Sequence, residues 1–288
     1  MNRVEEFPTG SEPVEVTVAT GPGRIEVRLT DEPGVRVTVR HAPESANPWT
    51  EGIASLVTWF SGQLADQPDL PGEAVRRTRV EFAAGRLVVR APKEPHLRAV
   101  PIAVSVQAPT GSAVSARGGP AAVTVTGVAG RVEAFTGGGA VDIAEATGPV
   151  QATSATGTVR VGPAPAGVRA RTGGGDVELT AVGGTTNVVT GAGDVWVGAV
   201  SGDVLVRTGT GDITVADAAA GQLDLTTGSG ALRVAVRPGA PAEIDVSSGS
   251  GEARADLPLT DQPPQTAPPL RVRGRTGSGN ALVTTATR

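Results

Sequence analysis

The chain has no cysteine and no tyrosine, a single methionine, and aromatic residues at only 2% of its 288 positions. Without cysteine there is no disulfide framework and no thiolate metal site, and either redox compartment is open to it. The chain also lacks a basic excess. Its 29 acids against 25 bases leave a net charge of −4, so the excess positive charge that neutralises phosphates is missing and no nucleic-acid partner is expected. Long apolar runs are absent too. The longest, residues 53–60, is too short to span a bilayer. Met1-Asn-Arg-Val-Glu-Glu-Phe-Pro opens on charged residues and no apolar stretch of signal type follows, so the reading predicts a cytoplasmic protein. Lysine is nearly missing: Lys93 stands against 24 arginines, a bias expected of a GC-rich bacterial genome.

Glycine and proline are plentiful, at 40 and 23 residues. The glycines are periodic and lie between alternating β-branched runs, which makes them turn residues rather than linker residues. One phrase recurs, clearest in Thr208-Gly-Thr-Gly-Asp-Ile-Thr-Val. Related copies begin at Thr136, Thr172, Thr190, Thr227, Ser248 and Thr276; a degraded copy begins at Thr156 and an outlying one at Thr20. From Thr136 to Ser248 most neighbouring copies are 16 to 21 residues apart, and a period of this size is the mark of a repeat architecture.

Counting from the Thr as zero, positions −4 and −2 are apolar: Val168 and Ala170, Val204 and Val206, Leu223 and Leu225, Ile244 and Val246. Positions +5 and +7 are apolar as well: Val177 and Leu179, Val195 and Val197, Ile213 and Val215, Leu232 and Val234. Alternation of period two gives each repeat two short strands with one buried face. The Thr shares the inward parity, so stacked repeats place these hydroxyls above one another, where each can bond a neighbour or a turn amide. Two strands cannot bury a core alone, but stacking at about 4.8 Å per rung can. The expected fold is all-β: a parallel β-solenoid of 18–20-residue coils with one short inserted helix near the N-terminal part. An antiparallel meander has the same periodicity.

Residues 1–100 read as N-terminal strands continuous with regular repeats over 101–288. Val14, Val16 and Val18, then Ile25 and Val27, then Val35, Val37 and Val39 fit the scheme loosely, and Ala116 is placed at the Thr position of a further copy. The inserted helix is predicted over 48–64. Asn47 serves as its cap, Pro48 suits its first turn, and Ile53, Leu56, Val57, Phe60 and Leu64 share one face. Proline-rich loops are expected over 67–71 and 257–269.

The repeated Thr-Gly-X-Gly-Asp-Val between alternating valines resembles the bacterial putative-adhesin family, whose β-strand-repeat domains are similar to the heads of autotransporter adhesins. The resemblance covers about residues 100–288. It implies a β-solenoid and an adhesive or scaffolding role, and it brings no functional residue with it.

Catalysis finds little support. His41 and His96 lie outside the regular repeats with no nucleophile elbow beside them. The glycine-rich strings lack the Gly-Lys-Ser/Thr of a phosphate loop, because the only lysine is Lys93, and a strand follows them where a dinucleotide fold needs a helix. No catalytic, cofactor-binding or metal-binding residue is assigned. Asp142, Asp176, Asp194, Asp203 and Asp212 sit at or near the glycines. Their spacing is about twice that of calcium-loaded β-rolls, so they are expected to bond local turn amides.

Positions +4 and +6 face outward: Asp142, Arg160, Asp176, Glu178, Asp194, Trp196, Asp212, Thr214 and Arg233. Trp196 is an indole on an otherwise polar face. It reads either as an interface anchor or as a side chain covered by the 257–269 loop. Trp49, Trp59 and Phe60 of the 48–64 helix complete the candidate interaction surface, the helix serving as a cap or as a docking element. Residues 44–66 hold no Lys or Arg, so membrane docking gains no support. The leading expectation is a non-enzymatic binding or scaffolding protein, with an unidentified protein or a second copy as partner. A self-assembling structural solenoid and a carbohydrate-active solenoid enzyme are the alternatives.

Overall fold

β-Branched residues at alternate positions favour extended backbone, and one apolar face per strand demands a covering layer. A computed structural model describes residues 2–43, 69–257 and 268–287, and within them the strands form a 13-stranded and a 12-stranded sheet. The chain alternates between the sheets from Ala113–Gly118 to Leu232–Val236, one strand in each per rung. Equivalent strands stack in parallel: Val132–Thr136 on Val150–Ser154, that on Val168–Thr172, and Val204–Thr210 on Gly221–Ser229. The middle of the chain is therefore a parallel solenoid, with 18 or 19 residues between stacked positions.

The predicted inward positions line one continuous core, in which Val168, Ala170, Val177, Leu179, Val195, Val197, Val204, Val206, Ile213, Val215, Leu223, Leu225, Leu232 and Val234 are all buried. Like residues sit over like, as Val177 over Val195 and Val206 over Leu225.

The Thr ladder ties the rungs together at one edge. Thr172, Thr190, Thr208 and Thr227 are buried, and each hydroxyl lies within hydrogen-bond distance of a glycine carbonyl of the preceding rung, Gly157, Gly175, Gly193 and Gly211, at 3.2, 3.2, 3.3 and 2.9 Å. Thr190 and Thr208 share that proton with the Ala192 and Thr210 carbonyls of their own strands. The Thr172 oxygen also accepts from its own turn, from the Gly175 amide at 3.1 Å. The second glycine of the motif has no substitute. Gly211 has φ of 142°, and a Cβ there would lie 2.2 Å from the Gly193 carbonyl oxygen. Left-handed backbone and close rung contact both exclude a side chain.

One expectation about the turns needs correcting. Asp176, Asp194 and Asp212 do not bond amides of their own turns. Each carboxylate accepts from the next rung: from Asp194 N at 2.9 Å, Asp212 N at 2.8 Å and Ala231 N at 2.8 Å. In the Thr172 turn the hydroxyl already serves the local Gly175 amide, so Asp176 reaches outward. The copy assigned to Ala116 is also shifted. Gly118 lies opposite Thr136, and Ala116 lies opposite the inward Ala134.

At both ends the order in space departs from the order in sequence. Glu15–Ala19 and Gly23–Thr30 insert between the Arg86–Arg90 and Ile102–Pro109 rung and the Ala113–Gly118 and Ala121–Ala129 rung. Leu270–Ser278 and Ala281–Thr285 likewise insert beneath Ala242–Ser248 and Ala253–Asp256, which become the last rung. The N-terminal end closes with antiparallel pairs, Asn2–Phe7 on Val35–His41 and Arg79–Ala83 on Arg86–Arg90. The Phe7 and Phe82 rings stack there at 5.3 Å.

The predicted helix 48–64 lies outside the described residues, with Trp49, Trp59 and Phe60. The helix that is described, α1 (Leu70–Arg77), begins inside the stretch expected to be a proline-rich loop. Asp69 caps it by accepting from Gly72 N at 2.9 Å. Pro71 falls in its first turn, where a missing N–H costs nothing. Among the described residues no helix is long and apolar enough to cross a membrane.

Candidate functional site

In a two-sheet solenoid the inward parity is spent on the core, so recognition chemistry falls to the outward positions. On the 13-stranded sheet the first outward position of successive rungs forms a column. It runs Thr124, Asp142, Arg160, Glu178, Trp196, Thr214, Arg233, Leu282, Arg254, with each residue in register with the next. Trp196 stands in the middle of it, on strand Val195–Val200, held by the buried Val195 and Val197 on either side.

The indole is 41% exposed, and of the described large apolar side chains it shares that status only with Val4. The space it occupies is made by a residue that the sequence reading passed over. Gly198 is the next outward residue on the same strand, and a Cβ there would come within 3.0 Å of Trp196 Cη2. The ring thus lies along its own strand, over bare backbone. The available signal was a glycine two residues after the tryptophan, on the same parity.

Polar groups border the ring. Glu178 lies on one side in register and Thr214 on the other. Arg160 donates to Glu178 through Nε at 3.0 Å, and that bond and charge push the guanidinium pKa further up. Arg233 donates to Asp212 at 2.9 Å. The amide of Ala231, followed by Arg233, holds the Asp212 carboxyl below its ordinary range. Trp196 is therefore an apolar plate set in a frame of paired charges. Trp49, Trp59 and Phe60 lie outside the described residues, so nothing here relates them to Trp196.

Two depressions, of 560 and 430 Å³, lie near the N-terminal end, away from Trp196. Their carboxylates are engaged: Glu15 with Arg86, Glu6 with Arg36 at 2.9 Å, and Glu32 with Gln107 at 2.6 Å. None of these contacts pairs a nucleophile with a base.

Comparison with known proteins bears on the architecture. No curated protein matches the chain. Among solved structures, a putative adhesin from Bacteroides fragilis NCTC 9343 is 10% identical, with 98% of this chain and 97% of that one covered at a TM-score of 0.35. A putative cell adhesion protein from Clostridium sporogenes ATCC 15579 is 9% identical, with 99% of each chain covered and a TM-score of 0.22. A putative lipid binding protein from Parabacteroides distasonis ATCC 8503 is 9% identical, with 99% of this chain and 95% of that one covered and a TM-score of 0.29. The family profile of Toastrack DUF4097 matches residues 88–284. That stretch holds the Thr-Gly-X-Gly copies from Thr136 to Thr276 and the parallel rungs they build, and the chain belongs to the Toastrack DUF4097 family.

Proposed function

We propose that this chain is a non-enzymatic binding protein that meets its partner through the outer face of the 13-stranded sheet, with Trp196 as the anchor. The observation that carries this reading is the exposed indole lying over Gly198. An exposed, rigid aromatic with a polar surround is the usual composition of an interface hot spot. Emission from Trp196 tests it, with Trp49 and Trp59 replaced by Phe. The expected spectrum is red-shifted and readily quenched by acrylamide. A blue, protected emission would mean that another part of the chain covers the ring, and the anchor role would fall.

A second reading, end-to-end assembly, is favoured by one separate observation. Among the described residues the last rung is paired on one side only, and its inward Ile244 and Val246 are half-buried. Assembly through that end should raise the sedimentation coefficient with concentration, and Ile244→Glu should abolish the rise. A monomer at all concentrations would dismiss it.

A further inference from the structure

The two outer faces handle charge differently. On the 13-stranded sheet, Arg24, Arg160, Arg233 and Arg254 pair with Glu26, Glu178, Asp212 and Asp256. On the 12-stranded sheet, the outward residue just before the Thr position forms a column through every strand. In spatial order it runs Arg79, Arg90, Ala19, Arg117, Phe135, Thr153, Arg171, Val189, Arg207, Thr226, Arg275, Ser247. Six of the twelve are arginines and none is an acid, in a chain whose net charge is −4.

Most of these arginines are uncommitted. Arg79 donates to Glu81, and Arg117 lies over the Phe135 ring at 5.5 Å. Arg90, Arg171, Arg207 and Arg275 are exposed and make no ion pair or side-chain hydrogen bond with any described residue. Acids do occur on this face, but in the adjacent column, where Glu133, Asp224 and Asp245 alternate with Arg169 and Arg273. Asp224 accepts from Gln222 at 3.2 Å.

Register sets the spacing. Arg171, Arg207 and Arg275 occupy alternate rungs, so their attachment points recur at about 9.6 Å, twice the strand separation. Val189 and Thr226 lie between them, and Thr153 and Ser247 extend the line with hydroxyls. Like charges at that spacing repel one another unless an anion lies along them.

We infer that this column is a binding track for a linear acidic polysaccharide laid along the solenoid axis. Guanidinium forks suit carboxylate and sulfate groups, and the hydroxyls suit those of sugars. The spacing argues against nucleic acid, whose phosphates advance about 3.4 Å per nucleotide along the axis of a duplex. The single aromatic of the column, Phe135, is covered by Arg117 and offers no platform for bases. An extended glycan with one acidic group per disaccharide spaces its charges on the scale of two rungs. Arg169 and Arg273 lie beside this column, but Glu133, Asp224 and Asp245 are interspersed with them, and acids on the same face are repelled by an anionic lipid surface more than by a chain that follows the arginine column. The track is on the opposite sheet from Trp196, so it stands or falls separately from the anchor role.

The test uses the full chain with hyaluronate oligomers, which carry one carboxylate per disaccharide, at low ionic strength. Binding is expected to weaken with salt and to tighten with oligomer length until the span from Arg171 to Arg275 is covered. Arg171→Gln/Arg207→Gln/Arg275→Gln should weaken it by about tenfold or more, on the scale of three exposed ion pairs. Its thermal unfolding should stay that of the parent, because these side chains hold nothing. The single Arg207→Gln supplies the same comparison at smaller amplitude should the triple variant unfold. Arg160→Gln/Arg233→Gln on the opposite face should leave binding unchanged. The inference is overturned if the parent does not retain hyaluronate, or if the opposite-face variant loses as much as the track variant. It is equally overturned if polyuridylate or phosphatidylglycerol vesicles bind more tightly than hyaluronate of matched charge.

Discussion

Val206 and Val246 occupy the same position of the repeat, yet they live in different surroundings. Both are two residues before the ladder hydroxyl and both point inward, in one line with Leu225 and Gly274. Val206 lies in the middle with rungs above and below and is fully buried, whereas Val246 lies on the last rung and is half-buried. Burial in a solenoid is thus a property of the rung above as much as of the residue itself. The middle has both neighbours, and the end has one.

Substituting the same charge at both positions gives the largest contrast. Val206→Asp buries an unpaired carboxylate, and stability is expected to fall by several kcal/mol. Val246→Asp can turn its charge toward solvent, with an expected loss of about 1 kcal/mol, the ordinary size for a partly exposed site. Urea unfolding midpoints measure both. Equal losses would erase the distinction between middle and end, and no loss at Val206 would overturn the inward register.

The hydroxyl ladder repeats the comparison at smaller scale. Thr208→Val keeps the shape but strips a buried hydroxyl that serves the Gly193 and Thr210 carbonyls, and an expected loss of about 1–2 kcal/mol follows from leaving these part-buried acceptors unmet. Ser248→Ala removes the equivalent bond to Gly279, 2.7 Å long, at a half-exposed site. Water can replace that partner, so the expected loss is under about 1 kcal/mol. Double substitution should be nearly additive, because the sites are far apart.

Titration sharpens the contrast further. Asp212 and Asn280 hold corresponding turn positions, and each accepts a backbone amide of the next rung: Ala231 N at 2.8 Å and Glu252 N at 3.1 Å. Only Asp212 can titrate. The amide and Arg233 hold its folded pKa below the ordinary 3.8. A depressed acid contributes stability above its unfolded pKa and loses it as pH falls through the folded value. Asp212→Asn should therefore lose at pH 7 the small contribution of a solvent-screened ion pair to Arg233 and reduce the decline below about pH 4. A decline that is the same in parent and variant would show that the carboxylate has no preferential partner in the fold.

What could be read beforehand divides along the same physical line. Parity does not fix the parallel sense of the rungs, because an antiparallel meander has the same periodicity; the inward positions and the hydroxyl ladder do follow from local parity, which survives in most copies of the repeat. Rung order does not. Leu270–Ser278 pairs with Gly221–Ser229, with Ser278 bonded to Ser229 across 49 residues, and a 28-residue interval between copies says nothing about which rung lies beneath. Only Leu70 and Pro71 of helix α1 fall in the stretch read as a proline-rich loop, and the rest of the helix carries no sequence expectation; Pro71 looks like a breaker, although its position in the first turn suits it. Trp196 was singled out by residue type, but its exposure was open until Gly198 was seen to make room for the ring. The arginine column lies just before the Thr of the repeat, apart from positions +4 and +6 that read as the outward face. Arg171, Arg207 and Arg275 each directly precede a Thr-Gly, a regularity visible in the repeat itself.

Trp196→Ala should have the smallest effect on stability, and it separates middle from end in the opposite sense. Trp196 sits on a middle rung, where inward truncation opens a cavity and costs roughly 2–4 kcal/mol. Its own ring points outward, touches bare backbone at Gly198 and is 41% exposed. Removing it deletes surface contact without opening the core, so unfolding in urea is expected to shift by under about 1 kcal/mol. A loss in the cavity range would mean that the ring is packed under cover, and position in the rung would then outweigh outward parity. A small loss leaves parity in charge: residues facing in hold the rungs together, and residues facing out can change without cost to the fold. That freedom is what would let one outer face carry an indole among paired charges while the other carries a line of arginines.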